Sequence, residues 1–85
     1  MMRSTVTWHR EAEDELTELW LAATDRNEIT AAVRAIDVAL ATDASEKGET
    51  VAEGLRFLFA PPLRVLFAIR EHDRVAQVEL VRRMV

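Results

Sequence analysis

The chain has 85 residues, of which 49% are hydrophobic and 31% are charged, and its formal net charge is −4. This size predicts a single domain over residues 1–85, and the composition is that of a folded chain rather than a disordered one. Cysteine is absent, which excludes disulfides, thiolate metal sites and a cysteine nucleophile. No apolar run approaches the ~20 residues of a membrane span, and residues 1–10 lack the apolar core of a signal peptide. We therefore expect a cytoplasmic protein with no membrane partner.

The acidic total conceals an uneven distribution of charge. Residues 1–53 contain 12 acids and five bases, whereas residues 54–85 contain six arginines and three acids. The acidic pI of about 5.1 argues against a general nucleic-acid binder, so direct nucleic-acid binding is not expected. The basic C-terminal third instead predicts an anionic partner that contacts one part of the molecule.

The N-terminal half predicts one strand and two helices. Residues Ser4–Trp8 alternate between polar and apolar, which is typical of a half-buried strand. Apolar residues recur at helical spacing from Arg10 onward, and acids occupy the first turn, where the helix dipole favours them. Asp25 and Glu28 resemble a capping box at the start of a second helix. The short link between the helices predicts an antiparallel helical hairpin.

The C-terminal half predicts a loop followed by three strands. Residues 42–54 are polar and small, which indicates a loop. Alternation then predicts strands over residues 55–60, 63–70 and 75–83, with Pro61 and Pro62 ending the first of them. The predicted fold class is α+β in the order β-α-α-β-β-β, with the helical hairpin packed on one face of a small antiparallel sheet.

Signals for catalysis are sparse, and no cofactor or metal site is predicted. Gly48 and Gly54 are the only glycines, so there is no glycine-rich phosphate loop. The acidic series on the first helix is interpreted as an exposed face rather than a metal site. The aromatic residues are interpreted as core side chains on the inward stripes of their elements: Trp8, Trp20, Phe57, Phe59 and Phe67.

Five arginines carry the sharpest functional hypothesis. Alternation places Arg64 and Arg70 on one face of a strand, Arg56 on the equivalent face of the neighbouring strand, and Arg82 and Arg83 nearby. Such a set predicts a positive patch that binds an anion. The competing interpretation is that these arginines are solubilising charges paired with nearby acids, namely Glu53, Glu71 and Glu79. Arginines alone bind and stabilise an anion but do not move protons near neutral pH.

Three segments together resemble the RelE/ParE superfamily of bacterial toxins: TWHREAEDELTELW, AIDVALATD and EGLRFLFAPPLRVLFAIREHDRVAQVELV. The resemblance covers nearly the whole chain. It implies a growth-inhibiting toxin of a type II toxin–antitoxin system, as in plasmid stabilisation, neutralised by a cognate antitoxin whose disordered segment folds around it. Within the superfamily, RelE-like members cut messenger RNA on the ribosome, and ParE-like members inhibit DNA gyrase.

Residue by residue, the resemblance favours the ParE-like branch. The arginine that recurs in the middle strand of the superfamily matches Arg64. A second arginine of the RelE-like branch aligns with Phe59, or with Arg56 if the hairpin is shifted. The RelE-like branch has an arginine and often a tyrosine or histidine after the last strand. Before this chain stops at Val85, only Arg82 and Arg83 can stand in for them, and no aromatic residue can. Where that branch has basic residues before the strand, this chain has acidic residues, Glu49 and Glu53.

These departures argue against ribosome-dependent cleavage, so the prediction is a ParE-like toxin that binds its target, with DNA gyrase as a candidate target and no evident nuclease site. The expected contact set for the target or the antitoxin is Arg56, Arg64, Arg70, Arg82 and Arg83. One alternative is a ribosome-dependent endonuclease whose catalytic residues are Arg64, Arg56 and Arg82. The other is a non-toxic interaction protein that keeps the fold. The antitoxin is expected to add a helix to the hairpin or a strand to the sheet edge.

Overall fold

A computed structural model describes residues 3–84 of the chain. The elements are β1 (Thr5–Trp8), α1 (Arg10–Ala22), α2 (Arg26–Leu40), a short 3-10 helix (Ala44–Glu46), β2 (Glu49–Ala52), β3 (Leu55–Ala60), β4 (Leu63–Arg70) and β5 (Val75–Arg83). The outermost residues of the predicted 1–85 domain, Met1, Met2 and Val85, lie outside the described part. The two helices and all four predicted strands are present at nearly the predicted bounds.

The strands form one mixed five-stranded sheet in the order β1-β5-β4-β3-β2. The meander β3-β4-β5 is antiparallel, as predicted. The prediction of a wholly antiparallel sheet was wrong, because β1 pairs in parallel with β5. This pairing sets Val6 beside Ala76 and Trp8 beside Val78, so that all four side chains lie on the face that the helices cover.

The strand β2 is a second departure from the predicted order, since it lies within the segment predicted to be a loop. It pairs antiparallel with β3 across the turn at Glu53 and Gly54, where Gly54 has a φ of 75°. All four of its residues are exposed. A strand without a buried face shows no alternation, which is why the sequence pattern did not indicate it.

The helical hairpin covers one face of the sheet, which confirms the predicted α+β architecture. Helix α1 lies over β5, and α2 lies over β3 and β4. Between them lies the core, whose largest fully buried side chains are Ile29, Ile36, Leu40, Leu63, Val65, Phe67, Val78 and Val81. Neither helix of the described chain is long and apolar enough to cross a bilayer.

Side chains from neighbouring segments cap the helix ends. The His9 Nδ1 accepts a hydrogen bond of 3.1 Å from the Glu11 N–H at the start of α1. At the other end of α1, the Arg26 guanidinium donates to the carbonyls of Trp20 and Leu21, both at 2.9 Å, and stacks 4.5 Å over the Trp20 ring. The predicted capping box at α2 was wrong, because the Asp25 side chain makes no capping hydrogen bond there.

The faces of β3 are the reverse of those predicted. Only Pro61 and Pro62 separate β3 from β4, so Ala60 lies directly opposite Leu63. Residues directly opposite in an antiparallel pair point to the same face. Since Leu63 is fully buried, β3 turns Arg56, Leu58 and Ala60 toward the helices and turns Phe57 and Phe59 away from them. Phe59 is 47% exposed, and Trp20 on α1 is 40% exposed, so neither belongs to the core.

Candidate functional site

The sheet face that points away from the helices, which we call the open face, carries a cluster of apolar side chains. The register aligns Phe57 with Leu66 and Leu66 with Leu80 across three strands. The rings of Phe57 and Phe59 stack with centroids 6.4 Å apart and planes inclined by 28°. We call Leu55, Phe57, Phe59, Leu66 and Leu80 the open-face patch. All five are half-buried or exposed. An apolar cluster left partly open to solvent is a candidate interaction surface.

Arg64 lies at one end of this patch and is available to a partner. Its neighbours in register are Phe59 on β3 and Arg82 on β5, which places all three side chains in one row of the open face. The Arg64 side chain is exposed and forms no hydrogen bond or ion pair with residues 3–84. The predicted placement of Arg64 and Arg70 on one face of the strand is confirmed, since both are exposed and Phe67 is fully buried on the opposite face.

Arg70 is also exposed and on the open face, but it stands apart from Arg64. The two are six positions apart along β4, which corresponds to roughly 20 Å in a strand. Arg70 lies directly opposite Val75, next to the 71–74 turn. Two charges at this distance do not contact one ligand group, so the open face carries two separate cationic positions.

Arg56 is not part of the open face, and the prediction that it lies beside Arg64 and Arg70 was wrong. Arg56 is directly opposite the buried Phe67, on the helix side of the sheet. Its guanidinium donates to the Lys47 carbonyl at 2.5 Å, the Gly48 carbonyl at 2.9 Å and the Thr50 Oγ1 at 2.6 Å. These bonds connect the segment before β2 to β3. Arg56 therefore has a structural role.

Arg82 and Arg83 are held by acids of the helical half. The Arg83 guanidinium binds both oxygens of Asp25, at 3.1 Å and 2.6 Å, in the link between α1 and α2. The Arg82 Nη1 pairs with the Glu15 Oε2 on α1. The acids that the competing interpretation named, Glu53, Glu71 and Glu79, form no ion pair with these arginines. The acidic half therefore neutralises two of the five arginines through long-range contacts.

The pair between Asp25 and Arg83 is expected to make the stability of the fold depend on pH in the acidic range. The hydrogen bond from Arg83 lowers the pKa of the Asp25 carboxyl below 3.8. A depressed carboxyl pKa stabilises the folded state above the unfolded-state pKa, and the contribution disappears as pH falls through the folded-state pKa. We expect Asp25→Asn to flatten the fall in stability below about pH 4. Urea unfolding between pH 2.5 and 7 measures this, with Asp73→Asn, an exposed acid in the 71–74 turn, as the control. Parallel pH curves for wild type and Asp25→Asn would contradict it.

The groups that lie together on the open face are apolar side chains and an arginine. Residues 3–84 hold no group of three or more His, Asp or Glu side chains placed to bind a metal ion. His9 caps α1, and His72 lies in the 71–74 turn, at the end of β4 remote from Arg64. The open face thus offers an apolar surface with Arg64 at its end, a combination that suits an amphipathic anionic partner.

The fold is that of chains in solved toxin–antitoxin complexes. One is the RelBE2 toxin–antitoxin complex from Mycobacterium tuberculosis, matched with a TM-score of 0.80 and 17% identity over 98% of this chain and 93% of that chain. Another is the chromosomal ParDE system from P. aeruginosa, with a TM-score of 0.71 and 18% identity over 98% of both chains. No family model and no curated protein matches the sequence. The chain therefore has the RelE/ParE-like fold that its sequence predicted.

Proposed function

We propose that this chain is the toxin of a type II toxin–antitoxin system, held inactive by an antitoxin and acting in the cytoplasm by binding a protein target. The observation that carries the proposal is the open face, where stacked Phe57 and Phe59 adjoin the unpaired Arg64. Solved structures of the same fold come from toxin–antitoxin complexes. An apolar surface with a free arginine suits a protein partner that brings aliphatic side chains and carboxylates.

The target that we favour is DNA gyrase, as in ParE-like toxins, over messenger RNA on the ribosome. Of the three arginines that a RelE-type nuclease would use, Arg56 is engaged by Lys47, Gly48 and Thr50, and Arg82 by Glu15. Arg64 is the one member of the three without a hydrogen bond or ion pair in the described part of the chain. A net positive charge also increases the affinity of a protein for ribosomal RNA, whereas the formal net charge of this chain is −4.

Growth and target assays test the proposal. The chain is expressed alone and together with the product of the neighbouring open reading frame, and the purified chain is added to gyrase supercoiling and to cell-free translation. We expect growth arrest, relief by the neighbouring protein in a copurifying complex, and inhibited supercoiling with intact transcripts. Arg64→Ala should reduce the arrest, while Arg34→Ala, an exposed arginine on α2, should not. Cleaved transcripts with normal supercoiling would establish the nuclease alternative, and normal growth would favour the non-toxic interaction protein.

A further inference from the structure

Arg64 and Arg82 are placed to act as a pair, yet of the two only Arg64 forms no hydrogen bond or ion pair with residues 3–84. They lie directly opposite each other on β4 and β5. The Cβ atoms of such cross-strand partners are ~5 Å apart, close enough for both guanidinium groups to bind a single anion. Without an anion, two like charges in this position repel each other. An internal anion, that is, an acidic side chain of the same chain, relieves this repulsion if it binds Arg82 away from Arg64.

Glu15 is that internal anion. Strand β1 ends at Trp8, opposite Val78, so the described chain has no strand beside the last residues of β5 on this edge. The Arg82 guanidinium lies along this edge, donating to the Val81 carbonyl at 2.9 Å and pairing with Glu15 on α1. The Arg82 side chain is 50% exposed. It can therefore change rotamer and lie over the open face without disturbing the core.

The contact between Glu15 and Arg82 is the weaker of the two ion pairs. Arg83 binds both oxygens of Asp25, whereas Arg82 binds only the Oε2 of Glu15. The Oε1 of Glu15 is buried and has no hydrogen-bond partner among residues 3–84. A bidentate pair is stronger and more specific than a single contact. Arg82 is therefore the exchangeable arginine, and Arg83 is fixed.

We infer that Glu15 competes with the partner for Arg82, so that binding of a carboxylate beside Arg64 transfers Arg82 from Glu15 to that carboxylate. The site then consists of Arg64 and Arg82 closing on one acidic side chain. Because Phe59 lies directly opposite Arg64 and the open-face patch continues from it, the partner segment is an acidic amphipathic peptide. This inference rests on the proposed function, because it assigns the regulation of the same face.

The test measures binding of a synthetic peptide of glutamate and leucine to the full chain by fluorescence anisotropy. Glu15→Gln keeps the shape of the side chain but removes the charge that holds Arg82, and exposed ion pairs are worth enough to change affinity by roughly two- to fivefold. We expect Glu15→Gln to bind the peptide tighter by that factor. Glu18→Gln, which removes a neighbouring acid on α1, should bind as wild type does. Adding Arg82→Ala to Glu15→Gln should abolish the gain.

The outcomes separate this inference from the proposed function. Equal affinities for Glu15→Gln and Glu18→Gln, with binding lost in Arg64→Ala, would overturn the competition and leave the binding face intact. Binding that is unchanged in Arg64→Ala as well would overturn both. A gain for a single-stranded RNA oligonucleotide and none for the peptide would overturn the carboxylate ligand, as would the absence of peptide binding in every form. Circular dichroism confirms that each variant is folded. In the NMR spectrum of the free chain, the Arg82 side-chain Nε–H resonance should shift in Glu15→Gln independently of any ligand.

Discussion

Gly48→Ala is expected to destabilise the fold by about 3 kcal/mol, a large loss for a residue that is itself exposed to solvent. The backbone at Gly48 has a φ of 67°. A residue with a Cβ atom adopts this left-handed conformation only at a cost in the free energy of folding. A Cβ atom built there would also lie 1.9 Å from the Phe57 carbonyl oxygen and 2.9 Å from its carbon. Both atoms belong to the backbone of β3, so relief requires the strand itself to move.

Gly54 provides the matched control for this prediction. It has a similar φ of 75°, but a Cβ atom there would meet only the Ile69 carbonyl oxygen, at an ordinary 3.7 Å. Gly54→Ala therefore carries the conformational cost without the clash, and we expect a loss of about 1 kcal/mol. Urea unfolding of both variants measures the difference. Equal losses would show that the close approach of Gly48 to β3 contributes nothing to the destabilisation.

The orientation of β3 shows how far the sequence alone can specify the candidate site. In the segment LRFLFA one face carries Leu55, Phe57 and Phe59 and the other carries Arg56, Leu58 and Ala60, so alternation favours placing the phenylalanines in the core. The two-residue connection at Pro61 and Pro62 contains the missing information. It makes Ala60 and Leu63 direct partners, and the inward position of Leu63 then sends both phenylalanines to the open face. Loop length, rather than hydrophobicity, determines the face of this strand.

The ion pairs and the parallel strand cannot be predicted in the same way. Glu15 and Arg82 are 67 residues apart, and Asp25 and Arg83 are 58 apart, so their pairing depends on where the helical hairpin crosses β5. The neighbour of β1 is likewise the last strand in the chain, with every other element lying between the two in sequence. Local patterns specify the elements and the buried stripes. Contacts between distant segments decide which arginines stay free.

Two substitutions, Arg56→Ala and Arg64→Ala, test whether Arg56 has a structural role and Arg64 a binding role. Arg56→Ala removes three hydrogen bonds from a charged donor and should lower the free energy of unfolding by about 2 kcal/mol. Arg64→Ala removes no hydrogen bond or ion pair within the described chain and should leave stability within about 0.5 kcal/mol of wild type. For binding we expect the opposite order, with about a tenfold loss of affinity for the neighbouring-gene protein in Arg64→Ala.

The measurements are urea unfolding and titration of that protein at a temperature where Arg56→Ala remains folded. Under these conditions Arg56→Ala should bind within about twofold of wild type, because Arg56 lies on the helix side of the sheet and the open face is unchanged. A single patch of five arginines would behave differently, since both variants would then lose affinity and neither would lose stability. A loss of affinity in folded Arg56→Ala equal to that in Arg64→Ala would therefore reject this assignment of roles and place the partner on both faces of β3.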